Sequence, residues 1–281
     1  MTTFKLARPL ALSMTGSVSV SGEPVLPLLE PGNVEIDIFG QSNALGLSLR
    51  SDTGTAPLSA DPDLAAYNAN TLTFDRVFMW NGAEFAQLVM GTNNAARNSN
   101  EFGVEFGLAV RWMRETASGN LYILKQASGG VSITSFDPPG GLNWANGENE
   151  LSQAATWLSG EGITLAASHW IWIQGESDEA QTQEWYQPRL QEIIDALHAE
   201  GHLADPESRL ILSQMHPSTA TYGAGVAAAK DAIAAATPSR IAAPTFPYFH
   251  TGDNIHYSGR SMVQHAYDCF EFLLDAPALE V

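Results

Sequence analysis

Cysteine is nearly absent from the chain. The single cysteine, Cys269, excludes an intramolecular disulfide and leaves the redox compartment open. Because Cys269 lies within the apolar, helix-like stretch 262–274, we expect a buried structural thiol rather than a nucleophile.

Positive charge is also scarce. The chain has 13 Lys and Arg residues against 31 Asp and Glu residues, which gives a formal net charge of −18 at pH 7. Direct binding to nucleic acid or to an anionic membrane is disfavoured, because both require basic residues that displace counterions. The acidity fits solubility or a salty habitat, and it carries no information about the fold.

Long apolar runs are missing as well. No stretch reaches the roughly 18 apolar residues that cross a bilayer, so we expect no membrane-spanning helix. Lys5 and Arg8 precede a short apolar run, but Pro9 and the polar residues that follow make a poor secretion signal. The compartment therefore stays open between the cytoplasm, the exterior and a phage particle.

The composition does provide material for one compact core. Hydrophobic residues make up 44% and charged residues 16% of the 281 residues, which is typical of a single α/β domain. We predict an amino-terminal extension over residues 1–31 and one domain over residues 32–281. The segment 51–100, rich in Asn, Asp, Thr and Gly, is interpreted as a long excursion of that domain rather than a second domain.

Strand-like runs alternate with helix-like patterns along the chain. Apolar runs at 34–40, 121–124 and 170–173 predict strands, and further strands are predicted at 209–214 and 241–246. Apolar stripes at helical spacing follow these runs and predict helices that pack on a sheet. This alternation favours parallel pairing through βαβ crossovers. The predicted fold class is α/β, a three-layer αβα sandwich with a central, mainly parallel sheet.

Four polar blocks carry the candidate chemistry, and the first three directly follow strand-like runs. Ligands of open α/β sheets bind at the carboxyl ends of the strands, so these three blocks are expected at one edge of the sheet. The blocks are Gln41-Ser42-Asn43, Ser128-Gly129-Gly130, Gln174-Gly175-Glu176-Ser177-Asp178 and, near the carboxyl end, Asp253-Asn254-Ile255-His256.

The residue types in these blocks suit acyl transfer. A serine hydroxyl is a weak nucleophile that needs a base, and we predict Ser42 as the nucleophile and His256 as the base. Asp253 stands three residues before His256, from where its carboxylate can reach Nδ1 and leave Nε2 for Ser42. The backbone amides of Ser42 and Gly130 suit the oxyanion hole, because glycine allows close approach of the backbone.

The ordered set of blocks resembles the SGNH hydrolase superfamily, and within it the sialate O-acetylesterase-like and acetyl xylan esterase branch. The resemblance spans about residues 34–270, nearly the whole chain. A further similar segment is Phe102-Gly103-Val104-Glu105-Phe106-Gly107-Leu108, although Val104 replaces the proline that the branch has before the acid. The implied fold is SGNH or flavodoxin-like.

The resemblance also implies roles that the residues alone do not give. It assigns a third oxyanion donor to Gln174, where the wider superfamily has an asparagine. It makes Glu176 either an alternative acid partner of the histidine or a residue that holds neighbouring loops. Asp253 is the preferred acid because of its spacing to His256, and Asp178 is interpreted as a cap for the helix that begins near 179–183.

The predicted function is that of a serine esterase that removes O-acetyl groups from carbohydrate, either acetylated polysaccharide or sialic acid. We expect no metal and no cofactor, since no His-Glu-x-x-His or paired-cysteine pattern is present. Two alternatives stay open: a non-catalytic carbohydrate-binding or phage structural module, and a lipolytic or thioester-cleaving hydrolase. Trp80, Trp144 and Trp185 are candidates for stacking on sugar rings. The oligomeric state is undetermined.

Overall fold

The computed structural model describes residues 28–49, 73–204, 207–243 and 253–275. Most of the predicted extension 1–31 lies outside this range. Where the described chain begins, Leu29 forms a parallel bridge with Thr116, and its N–H donates to the Glu115 carbonyl at 2.7 Å. The last residues before position 32 therefore already contact the domain, and the boundary at 31 stays a prediction.

The strands and α-helices of the described residues are best given in chain order. They are β1 (Val34–Gly40), α1 (Ser42–Leu45), β2 (Ser48–Leu49), β3 (Thr73–Trp80), β4 (Phe85–Val89), β5 (Glu101–Phe102), α2 (Val104–Glu115), β6 (Leu121–Ala127), α3 (Leu142–Gly160), β7 (Ala167–Ile173), α4 (Gln183–Ala199), β8 (Leu210–Ser213), α5 (Ala224–Ala234), β9 (Arg240–Ala243) and α6 (Gly259–Leu274). The predicted strand 241–246 is observed up to residue 243, and the rest of it lies outside the described residues.

Seven strands form the central sheet in the order β4-β3-β6-β1-β7-β8-β9. Every neighbouring pair is parallel except β3 and β4, which pair as an antiparallel hairpin. The strands β2 and β5 form a separate two-stranded sheet. The strand β1 lies at the centre, where it pairs with β6 on one side and β7 on the other over its whole length.

Helices cover both faces of the sheet. On one face, α2 and α6 pack together, and residues such as Phe106 and Phe270 join the core with Ile36 and Ile38. On the other face, α3, α4 and α5 bury residues such as Leu151 and Leu190. The predicted three-layer αβα sandwich with a mainly parallel sheet is confirmed.

The segment interpreted as a long excursion contributes to the sheet. Its residues 73–80 and 85–89 are β3 and β4, which extend the sheet beyond β6, whereas residues 50–72 lie outside the described part. The hairpin turn passes through Asn81-Gly82, and Gly82 takes a positive φ of 93°. Asn-Gly is a favoured hairpin turn pair, so this turn was visible in the sequence. The polar composition made these strands hard to recognise in the sequence, because β4 is an edge strand with three of its five residues not fully buried.

Two carboxyl groups lie inside β1. Glu35 is 8% exposed and Asp37 is 1% exposed, and alternation places both on the face of the sheet that carries Phe39. Asp37 Oδ1 has no hydrogen-bond partner among the described residues. Burial raises the pKa of Glu35 to about 7. Burial, together with the charge of Glu35, also raises the pKa of Asp37 well above its ordinary value.

These carboxyl groups predict a stability that decreases as the pH rises. The folded chain keeps protons that the unfolded chain releases, so the stabilisation is complete below the unfolded pKa of 4.5 and is lost as pH rises to about 7. For Glu35 the shift corresponds to about 3 kcal/mol of unfolding free energy. Urea unfolding at several pH values between about 5 and 8 measures this decrease in unfolding free energy. We expect the double variant Glu35→Gln/Asp37→Asn to flatten this decrease and the exposed control Glu84→Gln to keep it; equal slopes in wild type and double variant contradict the assignment.

Candidate active site

Ser42 lies in a tight turn at the carboxyl end of the central strand. The strand β1 ends at Gly40, and the Gln41 N–H donates to the Ile173 carbonyl of β7 at 2.9 Å. Gly40 has a φ of 149°, and a Cβ there would lie 1.9 Å from Ile173 O, so only glycine permits this close turn. The helix α1 begins at Ser42, whose exposed fraction is 6%.

The glycine pair of the second block lies beside this serine. Its strand β6 ends opposite Gly40, and a Cβ added to Gly129 would lie 4.0 Å from Ser42 Cβ. Gly130 has a φ of 70°, a conformation that favours glycine. In the part of the chain that the structure describes, neither the Ser42 N–H nor the Gly130 N–H donates to a backbone carbonyl. Both amides are therefore free to donate to a bound group.

The fourth block holds the histidine and its acid together. His256 Nδ1 lies 2.8 Å from Asp253 Oδ2, and Asp253 Oδ1 accepts hydrogen bonds from the N–H groups of Ile255 at 2.9 Å and His256 at 3.1 Å. Burial raises the pKa of Asp253, but these hydrogen bonds outweigh it, so the pKa lies below its ordinary value. The carboxylate is therefore ionised at neutral pH and can hold a proton on Nδ1 of the ring.

Asn43 connects the serine turn to the histidine segment. Its Nδ2 donates to the Ile255 carbonyl at 3.2 Å, and its Oδ1 accepts from the Tyr257 N–H at 3.2 Å. These two contacts flank His256 in the chain, while Asn43 itself follows Ser42. The Asn43 side chain is 1% exposed, so these hydrogen bonds are shielded from water. The amide thus fixes the segment that carries His256 against the turn that carries Ser42.

Glu176 contacts Asn43 and makes no hydrogen bond to His256 in the structure. Its Oε1 accepts from Asn43 Nδ2 at 2.7 Å, and its Oε2 has no hydrogen-bond partner among the described residues. The residue is 5% exposed.

A buried cation lies in the same region: Lys230 donates to the carbonyls of Gln174 at 2.5 Å and Ser213 at 2.7 Å. Burial lowers the pKa of Lys230 to about 8, although the charge of Glu176 acts to raise it.

Gln174 is enclosed by protein partners. Its Nε2 donates to Asp178 Oδ2 at 2.6 Å and lies 3.2 Å from the Val131 carbonyl and 3.3 Å from Gln41 Oε1. Its Oε1 accepts from the Tyr186 hydroxyl at 2.6 Å. The side chain is close to the serine block through Gln41. Its role as third oxyanion donor stays a prediction, and that role would require the amide to give up one of these acceptors.

The structure corrects the interpretation of Asp178. The helix α4 begins at Gln183 and has Thr182 at its N-cap position, so Asp178 does not cap it. Asp178 instead accepts hydrogen bonds from Ser132 Oγ at 2.6 Å and from the Ile133 N–H at 2.8 Å. It thereby fixes the segment that follows Gly130. A partner 45 residues away along the chain cannot be found from local cap preferences.

The sequence therefore located the blocks but missed most of the contacts between them. Ser42 and the Gly129-Gly130 pair share one edge of the sheet, and Asp253 contacts His256. Sequence reasoning gave no role to Asn43, Gln41 or Lys230. The first two lie inside the block Gln41-Ser42-Asn43, which was a signal, because a buried amide beside a candidate nucleophile needs hydrogen-bond partners.

Comparison with known proteins identifies a family whose model matches the chain. The family described as carbohydrate esterase, sialic acid-specific acetylesterase, has a model that matches residues 36–271. No curated protein sequence matches the chain. The fold is similar to the crystal structure of a protein from Arabidopsis thaliana, with 15% identity, a TM-score of 0.59, and coverage of 86% of this chain and 97% of that chain.

A second similar structure is that of a carbohydrate acetylesterase from Xanthomonas citri. The identity is 15%, the TM-score is 0.53, and the match covers 88% of this chain but only 58% of that protein. At such identities the two structures show the fold alone. The family rests on the sequence match.

We expect Asn43→Ala to destabilise the fold. The change removes three hydrogen bonds and leaves the buried Glu176 carboxylate without its Asn43 donor, which costs about 3 kcal/mol of unfolding free energy. Urea unfolding measures the loss, and Asn146→Ala on the exposed side of α3 is the matched control. In a Glu176→Gln background the loss should shrink by about 1 kcal/mol, because the side chain at position 176 is then an uncharged amide. A loss below about 0.5 kcal/mol would show that Asn43 does not hold the two segments together.

Proposed function

Since the chain belongs to the carbohydrate esterase family of sialic acid-specific acetylesterases, we propose that it is a serine esterase that removes O-acetyl groups from carbohydrate through an acyl-enzyme on Ser42. The observation that carries the proposal is the Asp253–His256 pair at 2.8 Å, whose segment is bound by Asn43 to the turn of Ser42. The reaction class is carboxylic ester hydrolysis.

In the first half of the proposed reaction, Ser42 Oγ attacks the carbonyl carbon of the acetyl ester while its proton passes to His256 Nε2. The ionised Asp253 stabilises the imidazolium that forms. The oxyanion accepts hydrogen bonds from the free N–H groups of Ser42 and Gly130, each worth about 3 kcal/mol in the transition state. The bond to the sugar oxygen then breaks, and that oxygen takes the proton from His256.

In the second half, water hydrolyses the acetyl group on Ser42. His256 takes a proton from the water as its oxygen attacks the acetyl carbon, and returns the proton to Ser42 Oγ as acetate leaves. The side chains that take part in this proposed cycle, Ser42, His256 and Asp253, all belong to this chain. In this scheme Glu176 is a positioning residue, since its contact is with Asn43 rather than with the ring of His256.

The candidate sugar platforms differ in their surroundings. Trp144 is 2% exposed, so it presents almost no surface to a ligand. The Arg189 guanidinium lies 4.0 Å from the centre of the Trp185 ring and covers one of its faces. Trp80 is 8% exposed and contacts a polar cleft. Of the three, Trp80 is the one that we place beside the carbohydrate.

The first test is ester hydrolysis by purified protein. We expect release of 4-nitrophenol from the acetyl ester to exceed release from the butyryl and octanoyl esters, because a small acyl group on a polar carrier suits the polar surroundings of Ser42. The Ser42→Ala variant should lose about 10⁴-fold or more in kcat/KM, whereas Ser152→Ala on the exposed side of α3 should match wild type. Equal rates for Ser42→Ala and wild type on every ester would overturn the esterase proposal and favour a binding module.

The second test separates the two carboxylates. We expect Asp253→Asn to lower kcat about 10³- to 10⁴-fold, because the amide supports the wrong tautomer of His256. Glu176→Gln keeps an acceptor for Asn43 and should lower kcat by about tenfold or less. The pH profile of kcat/KM checks the assignment, since only the partner of the histidine should change the pH at which activity appears. A larger loss for Glu176→Gln, with both variants folded, would assign the acid role to Glu176.

A further inference from the structure

A polar cleft of about 560 Å³ opens at the end of β6, the strand that the Gly129-Gly130 block follows. The hairpin of β3 and β4, the loop 91–99, the end of β6 and helix α3 surround it. This volume lies in the range of small-molecule sites. Its lining is dominated by amide and hydroxyl side chains, and Trp80 is the aromatic residue among the described lining residues.

The cleft is bound to the serine turn by direct contacts. Lys125 Nζ donates to the carbonyl of Leu45, at the end of α1, at 3.2 Å, and to the carbonyl of Asn94, in the cleft wall, at 3.1 Å. The Arg97 N–H donates to the Gly46 carbonyl at 3.4 Å. The loop that forms one wall of the cleft is therefore attached to the helix that begins at Ser42.

Strand geometry gives the distance from the cleft to the nucleophile. Gln126 lies opposite Phe39 in the sheet, and Ser42 is three residues beyond Phe39. With strands about 4.8 Å apart and at most about 3.5 Å per residue, the Cα atoms of Gln126 and Ser42 are within about 15 Å. A ligand that occupies the cleft can therefore extend a substituent to Ser42.

Three side chains in the cleft have hydrogen-bonding groups without a partner among the described residues. The Gln126 side chain makes no hydrogen bond to any residue that the structure describes. Glu150 Oε2 accepts a hydrogen bond from Trp80 Nε1, which holds the carboxylate in the cleft, and its other oxygen has no donor among the described residues. Asn81 accepts two backbone hydrogen bonds through Oδ1, and its NH₂ group has no acceptor in the described part of the chain. Amide and carboxylate groups of this kind recognise hydroxyl groups.

The charge of the cleft selects against an anion. Among the described residues that line it, Lys125 alone is basic, and its ammonium is already bound to Glu105 Oε2 at 2.7 Å besides the two carbonyls. The guanidinium of the neighbouring Arg97 pairs with Glu101. Glu150 adds a negative charge that would repel a carboxylate. A hydroxyl-rich ligand without charge therefore fits this cleft, and a sialic acid, which carries a carboxylate, does not.

We propose that this cleft binds the glycosyl part of a neutral O-acetylated carbohydrate, with Gln126 and Glu150 as hydrogen-bonding residues, and so makes the chain selective for neutral glycans over sialic acids. The inference rests on the proposed esterase function only for the position of the acetyl group at Ser42. It narrows the two substrate classes, acetylated polysaccharide and sialic acid, to neutral acetylated glycans. The specificity-determining residue for hydroxyl recognition is Gln126, and that for charge is Glu150.

Binding is tested first, in the Ser42→Ala background, where no turnover interferes. Isothermal calorimetry with an O-acetylated xylo-oligosaccharide should show binding that weakens about tenfold when Gln126→Ala is added, since one lost hydrogen bond corresponds to about 1.4 kcal/mol. Adding Gln153→Ala, an exposed glutamine on α3, should leave the Kd unchanged. An equal Kd with and without Gln126→Ala would overturn the assignment of the cleft.

Selectivity is tested with the active enzyme. The ratio of kcat/KM for the acetylated xylo-oligosaccharide to kcat/KM for 9-O-acetyl-N-acetylneuraminic acid should exceed one in wild type and fall about twofold or more in Glu150→Gln, which keeps an acceptor for Trp80 but removes the charge. A wild-type ratio below one, or a ratio that Glu150→Gln does not change, would overturn the charge selection.

The two sets of outcomes distinguish this inference from the proposed function. Absence of ester hydrolysis with binding that depends on Gln126 would remove the esterase proposal and retain the cleft as a glycan site. Hydrolysis of 4-nitrophenyl acetate that depends on Ser42, together with glycan binding that does not depend on Gln126, would retain the esterase and remove the cleft.

Discussion

The shared register of β1, β6 and β7 is the constraint on which the site depends. Gly40 lies opposite Ala127 on one side and Ile173 on the other, so the three strands end at one level. The polar blocks that follow them must therefore emerge side by side. A slip of one residue in either pairing would turn every side chain of that strand to the other face, which two buried cores forbid. Burial of the sheet on both faces thus determines the position of the chemistry.

Buried polar contacts then fix the blocks relative to one another. Asn43 joins the serine turn to Glu176 and to the histidine segment, and Asp178 joins the third block to the segment after Gly130. Lys230 places a positive charge in the same region through its bonds to the carbonyls of Gln174 and Ser213. In a medium of low dielectric constant such groups are costly unless they are paired, so each one restricts the others to a single arrangement.

The parts of the fold that the sequence predicted are those with strong local patterns. The run Val34–Gly40 and the helices α2, α4 and α6 have apolar residues at the spacing of their secondary structure, and they were recognised. The hairpin of β3 and β4 was not recognised, because its strands lie towards the edge of the sheet and carry exposed polar residues. Asp178 was given a local role by its position before a helix, whereas its partners are distant in the chain. The helices within the described residues include none with the length and apolarity for a membrane span.

By itself the sequence determined the fold class, the family and the order of the four polar blocks, because these depend on local periodicity and on short motifs. Only the tertiary structure decided which groups touch. It brought Asp253 rather than Glu176 against the ring of His256, and it gave Asn43 its place between two segments. Among the described residues it gave the Gln126 side chain no hydrogen-bond partner, at the cleft by the end of β6. Contacts of this kind join residues as many as 214 positions apart, and they are set by how the layers pack, which no local pattern records.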